Sequence, residues 1–407
     1  MSNGAGLRTF WWTLHRWIGV GLAALLVPIA VSGALLVWHD HLDALIHPGR
    51  YAVTGKQAVQ PSAYLASAGA ALEAGLQATA VRFPETEGWP VVVMARGAPR
   101  AEGSPARIVN VYLDPPTARV LDVVDFRSSW YGFLHRFHEN LTIPEYSGRS
   151  IVGWVGVGML IMSLTGIWLW WPRTGVFLPG LRWRRAGYAT TNLHHLIGFW
   201  ISIPLAVVSL TGIYRGFPQT SRQAMAAIAP MTPLGPRPGF GSVVRDARLT
   251  ADAALGAALA SESGARPAAI FLPTGGGNNA ERGRARGGEG AREQGTRDQG
   301  ARDQGTGPLW RVQLRQSDSG ALATVTVDDR SSAVTRQSDP LAGDRAAQWI
   351  HAIHEGSRGG PVWQVLVFLT GICPLIFAVT GITMWWRGRR SRRVIAAGRV
   401  GELQAAE

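Results

Sequence analysis

The sequence predicts a membrane protein: a bundle of four transmembrane helices, built as a parallel two-fold internal repeat, with two α+β modules outside the bilayer. Three observations carry that expectation. Residues 17–38, 151–171, 186–214 and 359–386 form four windows without a single Asp, Glu, Lys or Arg. Arginine crowds the short connections between them, and the motifs around the first two windows return around the last two.

About 20 apolar residues cross the hydrocarbon core of a bilayer, so each window is long enough to span it. Trp11, Trp12, Trp38, Trp170, Trp171, Trp385 and Trp386 lie at the window ends, where indole rings favour the interface. Pro28, Pro204 and Pro374 interrupt three windows, which membrane helices tolerate when neighbours re-satisfy the backbone. The first window is too long and too late for a simple cleaved signal. Composition agrees, with 46% hydrophobic residues, 17 Trp and only 16% charged residues, where soluble domains carry roughly 25%.

The net charge of +13 is a topology signal. Arg173, Arg182, Arg184 and Arg185 lie between windows two and three, and Arg387, Arg389, Arg390, Arg392, Arg393 and Arg399 follow window four. With Arg8 and Arg16 before window one, the positive-inside rule places both termini and the short loop in the cytoplasm. The long connections then lie outside, in the periplasm of a cell that has one, and nucleic acid is not an expected partner. One cysteine, Cys373, excludes a disulfide-stapled fold, a zinc ribbon and a four-cysteine iron–sulfur site.

The repeat sets the organisation. Thr13-Leu14-His15-Arg16-Trp17-Ile18-Gly19 reads like Asn192-Leu193-His194-His195-Leu196-Ile197-Gly198, and Val31-Ser32-Gly33 like Leu210-Thr211-Gly212. Leu134-His135-Arg136-Phe137-His138-Glu139 returns as Ile350-His351-Ala352-Ile353-His354-Glu355, and Thr165-Gly166-Ile167 as Thr380-Gly381-Ile382. The second half is longer because of residues 275–307, a Gly-, Arg- and Gln-rich run read as a disordered insertion without chemistry. Segment by segment, the expected order is span 1 (1–39), module 1 (40–148), span 2 (149–172), cytoplasmic loop (173–191) and span 3 (192–215). Module 2 (216–358), span 4 (359–387) and a cytoplasmic tail (388–407) complete it. Each module shows a helical stretch (61–77; 251–262) followed by alternating strands (90–95 and 108–113; 310–314 and 323–327). Asp114-Pro115-Pro116-Thr117 and Asp328-Asp329-Arg330-Ser331 read as turns between strands.

Six of the ten histidines lie in repeated motifs at span ends, and ionisable residues at membrane edges need a reason. His15 and His194 hold equivalent places near the inner ends of spans one and three. Gly19, Gly198, Gly33 and Gly212 fall on the same helix face and leave room for a flat, bulky group. On the outer side, His135 and His138 precede span two, and His351 and His354 precede span four. The His-x-x-His spacing turns both rings of a pair to roughly one face. Zinc, copper and a proton relay are competing uses, and interfacial histidines that cap helices are a further reading. Opposed histidine pairs at the two membrane faces suit two bis-histidine haems better, since haem iron takes axial ligands of this type. His39, His41 and His47 have no counterparts in the second half and read as interfacial residues, and His195 as a headgroup-facing neighbour of His194.

These residues carry a resemblance. Leu14-His15-Arg16-Trp17-Ile18-Gly19 with Ser32-Gly33-Ala34-Leu35-Leu36-Val37 resembles the opening span of the PepSY-associated transmembrane family. His138 followed by Ser147-Gly148-Arg149, and the run from Ala378 to Trp386, are similar to that family too. The resemblance covers nearly the whole chain outside the insertion. Family members include iron-regulated inner-membrane proteins and ferric-siderophore reductases carrying b-type haem. It implies two PepSY-like periplasmic modules and two haem b groups. Their axial ligands would be His15 and His194 on the inner side and His138 and His354 on the outer, with His135 and His351 as further candidates. The lead-in after His354, Glu355-Gly356-Ser357-Arg358-Gly359-Gly360, is abbreviated relative to the family pattern.

Residues 1–9, 172–190 and 387–407 are too short to fold a flavin or nicotinamide domain, and no glycine-rich dinucleotide fingerprint follows a strand. Electrons would therefore come from a separate cytoplasmic donor or a membrane quinol. No Ser-His-Asp set or carboxylate pair supports hydrolysis. The expected function is a di-haem electron-transfer oxidoreductase of the bacterial inner membrane that reduces a periplasmic acceptor, foremost a ferric siderophore. Two other classes compete: a non-enzymatic PepSY protein that binds or regulates a partner, and a permease for iron or its chelate.

Overall fold

The computed structural model describes residues 3–98, 106–171, 187–233, 243–244, 246–274, 308–317 and 320–404. The arginines expected between spans two and three and the insertion at 275–307 lie outside the described residues. The helices are α1 (Asn3–Val37), α2 (His39–Ile46), α3 (Pro61–Ala71), α4 (Trp130–Asn140), α5 (Gly148–Trp170), α6 (Ala189–Gly216), α7 (Pro218–Ile228), α8 (Ala251–Ser261), α9 (Ala342–Glu355) and α10 (Gly360–Gln404). The strands are β1 (Leu76–Arg82), β2 (Val91–Gly97), β3 (Arg107–Leu113), β4 (Val120–Asp125), β5 (Arg266–Phe271), β6 (Leu309–Arg315), β7 (Leu322–Asp328) and β8 (Val334–Arg336). Two compact units result: a helical one (Met1–Leu42, Trp130–Thr232, Pro340–Glu407) and a sheet one (Asp43–Ser129, Pro233–Asp339).

Among the described residues of the helical unit, four helices are long and apolar enough to cross a membrane: Gly6–Val37, Gly148–Trp170, Ala189–Gly216 and Gly360–Ser391. They close a ring in which α1 packs on α5 and α10, and α6 on α5 and α10. Trp154, Ile203, Leu210 and Val379 are largely exposed, as side chains facing lipid should be. Ser163, Ser209 and Thr211 are buried and close on carbonyls of their own helices, Ser163 on Met159 at 3.0 Å and Ser209 on Leu205 at 2.7 Å. Pro28, Pro204 and Pro374 lie inside helices that continue through them. Two boundaries differ from the sequence expectation. Helix α1 begins well before the charge-free window, so Arg8, His15 and Arg16 ride on one rod, and α10 runs on through the segment expected as a tail.

The amphipathic helices α4 and α9 lead into α5 and α10. Helix α9 ends on Gly356 in the left-handed conformation (φ 78°), a position only glycine fills without strain. This is how the abbreviated lead-in still reverses the chain. In the first half the same reversal is longer and uses Leu141, Thr142 and Ser147 at positive φ.

The sheet unit departs from the expectation of two separate modules. Its strands form one antiparallel sheet in the order β4-β3-β2-β1-β5-β6-β7-β8, joined where β1 pairs with β5 (Ala80 with Phe271, Val81 with Ile270, Arg82 with Ala269). Joining removes two open edges, each a row of unpaired backbone groups. The expected helix over 61–77 stops at Ala71, because Leu72 turns extended (ψ 140°), and Gln77 belongs to β1. Helix α3 lays Tyr64 and Ala68 on Val81, Val93, Val111 and Leu113. Helix α8 lays Ala254, Leu255 and Ala258 on Ile270, Trp310, Val312 and Val325.

Two buried carboxylates hold this unit's loops. Asp114 accepts from Thr54 N at 2.7 Å, Thr54 Oγ1 at 2.6 Å and Thr117 Oγ1 at 2.5 Å. Asp329 accepts from Arg248 N at 2.8 Å, Leu249 N at 3.0 Å and Trp310 Nε1 at 2.9 Å. The turn reading of these motifs was incomplete: Asp328 serves its own turn through Arg330 N and Ser331 N, whereas Asp329 reaches across 80 residues. Burial pushes both pKa values up, but the donated hydrogen bonds outweigh it and hold both below the ordinary carboxylate range. A lowered native pKa gives stability that is present above about pH 4 and is lost as the pH falls through the native value. Thermal melts of Asp329→Ala should show a loss of roughly 2–3 kcal/mol near neutral pH, shrinking in acid as the parent loses the same interaction.

Candidate functional site

The helical unit brings four of the six candidate histidines into two pairs of polar anchors. His15 on α1 places Nδ1 2.8 Å from Thr165 Oγ1 on α5, and His194 on α6 places Nδ1 2.8 Å from Thr380 Oγ1 on α10. Each threonine hydroxyl has one proton, and each lies 2.7 Å from a carbonyl one turn back on its own helix, Ile161 or Ile376. With that proton given to the backbone, the hydroxyl can only accept from the imidazole. Nδ1 is then the protonated nitrogen, and Nε2 keeps its lone pair.

Both inner histidines line a cavity of about 630 Å³, within the range of small-molecule and cofactor sites. Gly19 and Gly198 line it too, together with Gly166 and Gly381; a Cβ on Gly198 would meet nothing within 4 Å, whereas one on Gly19 would lie 2.9 Å from Met162 Cε. His195 also lines the cavity and meets the His194 ring edge-on at 6.4 Å, a different place from the headgroup-facing one expected.

The outer histidines separate by role. His138 Nδ1 lies 2.8 Å from the Ile29 carbonyl of α1 and 3.3 Å from Ser32 Oγ. His354 Nδ1 lies 3.1 Å from the Val208 carbonyl and 3.1 Å from Thr211 Oγ1 on α6. A carbonyl only accepts, so here too Nδ1 donates and Nε2 is left with its lone pair. The two rings approach to 6.2 Å between centroids at 42°. Burial pushes both pKa values down, His354 to about 3, with the neighbouring His138 adding to it, so both imidazoles are held neutral, the form that binds metal.

Space for these rings comes from glycine. A Cβ on Gly33 would lie 2.6 Å from His138 Cε1, and one on Gly212 3.1 Å from His354 Cε1. These two glycines therefore seat histidine rings, a correction to the idea that all four flank a flat ligand. His135 and His351 take other partners: His135 faces Glu139 at 3.8 Å, and His351, more than half exposed, faces Glu355 at 3.0 Å with Arg215 beside it. His39 bonds the Leu36 carbonyl and stacks on Tyr131.

Sequence reasoning missed Thr165 and Thr380 as partners of the inner histidines. The signal was available, since the repeated Thr-Gly-Ile places a hydroxyl at the same point of both helices.

Among the described residues, four apolar helices of spanning length mark the chain as a membrane protein. Residues 12–388 match the model of the PepSY-associated TM region, and the chain belongs to this family. No curated protein matches it.

Proposed function

We propose that this protein is an inner-membrane electron-transfer protein that holds two b-type haems and reduces a periplasmic ferric chelate of the siderophore type. In this reading the two halves form a parallel repeat, both termini are cytoplasmic, and the sheet unit is periplasmic. The observation that carries it is the shared state of four histidines: Nδ1 is engaged by a hydroxyl or carbonyl, and Nε2 remains free to coordinate. At each level two imidazoles would hold one haem, whose iron takes histidine ligands. The rings of His138 and His354, 6.2 Å apart between centroids, would hold the outer group between them. When bound, the two haems would supply one-electron carriers at two depths of the bundle.

The chain's own residues do the rest. His15 and His194 would hold the inner group, and His138 and His354 the outer. Thr165, Thr380 and the carbonyls of Ile29 and Val208 fix the tautomers and ring orientations, which also raises ligand basicity. Electrons would enter from a cytoplasmic donor or a membrane quinol. One electron suffices at the acceptor, because Fe(II) binds hard oxygen chelators far less tightly than Fe(III).

The absorption spectrum of detergent-purified, dithionite-reduced protein tests this reading. Low-spin b-type bands are expected; their absence after expression with ample haem overturns it and leaves partner binding as the function. Thr165→Val and Thr380→Val should each weaken haem retention at the inner site by about tenfold, measured as the rate of haem transfer to an acceptor globin. For the orientation, reporter fusions after Gly180 and Arg393 should read cytoplasmic, and fusions at Gly97 or Gln304 periplasmic.

A further inference from the structure

Helices α4 and α9 turn a histidine inward and an apolar face outward. Helix α4 packs on α1 and α5, and α9 on α6 and α10, so the two occupy opposite corners of the four-helix ring. His138 and His354 point into the bundle, onto the carbonyls of Ile29 and Val208. Five residues before each histidine stands a large aromatic residue, Phe133 in α4 and Trp349 in α9. Five residues turn an α-helix through about 140° beyond a full circle, so a ring at that spacing points away from the bundle. Both rings are 51% exposed. Phe137 stacks on Phe133 at 6.1 Å between centroids, and Ile353, one turn after Trp349, extends the same face of α9.

A helix on a water-facing surface does the reverse, burying its apolar stripe and leaving its polar face outside, and exposed apolar patches mark interaction surfaces. Three features name the cover. The patches run on into the spans: Tyr146 and Val362, both 72% exposed, stand where α4 and α9 lead into α5 and α10, and Trp154, Val365 and Leu369 continue the exposed apolar surface along those helices. Arg358 stands over the Trp349 ring at 4.8 Å, and the exposed Arg345 lies one turn before it, an aromatic–cation edge that suits phosphate headgroups above acyl chains. A lipid layer surrounds the bundle and meets both corners at once, whereas a single protein partner would cover one. We propose that α4 and α9 lie in the membrane interface at this end of the spans, with Phe133, Phe137, Trp349 and Ile353 seated among the upper acyl chains. The two helices that bring His138 and His354 together are then held by backbone carbonyls on the inside and by lipid on the outside. The proposal stands whether or not the histidines hold haem.

The test uses the full chain with its single cysteine removed by Cys373→Ala, reconstituted in vesicles of phosphatidylethanolamine and phosphatidylglycerol. A nitroxide is attached at Phe133→Cys or Trp349→Cys. Power saturation then reads its contact with oxygen, which concentrates among acyl chains, and with a water-soluble nickel chelate. Thr86→Cys, at an exposed position of the sheet unit, gives the water reference, and Trp154→Cys gives the lipid one. Both labels should shift from the Thr86 values towards more oxygen and less nickel contact, at a depth of about 5–10 Å. Tyr146→Cys and Val362→Cys replace any variant that fails to fold. Water-like values at either corner overturn the proposal. Low contact with both reagents, the mark of a protein cover, also overturns it. So does spin–spin broadening that disappears on dilution with unlabelled chain, which assigns the face to a second copy.

Discussion

Replacing His138 or His354 by alanine should halve the haem content of the purified protein and leave the inner component of the reduced spectrum in place. Replacing His15 or His194 should do the reverse. The expectation follows from the pairing: His138 and His354 face each other at 6.2 Å, whereas His15 and His194 share the cavity wall at the other level. Both members of a pair would hold the group, so loss of either should release it or weaken its retention. His135→Ala and His351→Ala are the controls. Their side chains engage Glu139 and Glu355, and the spectrum should survive both. Haem analysis of the six variants decides the assignment, and a spectrum lost in His135→Ala but kept in His138→Ala would reverse it. Any variant lacking one of the two components should also fail to pass electrons from the inner side to an external ferric chelate.

The second large effect is expected at a residue without a side chain. Gly33→Ala would set a Cβ 2.6 Å from Cε1 and 3.1 Å from Nδ1 of His138. That ring cannot swing away cheaply, because it is half-buried and tied to the Ile29 carbonyl. The outer component should be lost or strongly weakened, with an overpacking cost of about 1–3 kcal/mol. Gly212→Ala meets His354 Cε1 at 3.1 Å, where a few tenths of an ångström suffice, so its effect should be smaller. Comparing outer-haem occupancy in the two variants checks this. Equal tolerance would mean that the glycines serve helix packing alone.

The spans were legible because bilayer crossing is a local demand on the chain: about 20 residues without charge, readable in windows such as 17–38. The motif histidines were legible for a related reason, since polar groups at membrane edges stand out against apolar runs. Three things were not. Which member of each His-x-x-His pair turns inward depends on how α4 meets α1 and how α9 meets α6, and at a spacing of three both rings share nearly one face. The partners Thr165 and Thr380 lie 150 and 186 residues from their histidines, so their spacing is a property of packed helices. Likewise β1 and β5 lie outside the strands that alternation predicts, and their pairing into one sheet emerges only when two edges meet. The sequence by itself determined four spans, two α+β segments and the identity of the candidate ligands, because hydrophobicity and repetition act along the chain. The tertiary structure alone decided which nitrogen of each histidine bonds to the neighbouring helix and which glycine seats which ring. Hydrogen bonds and steric contacts there join residues that the chain keeps more than 100 positions apart.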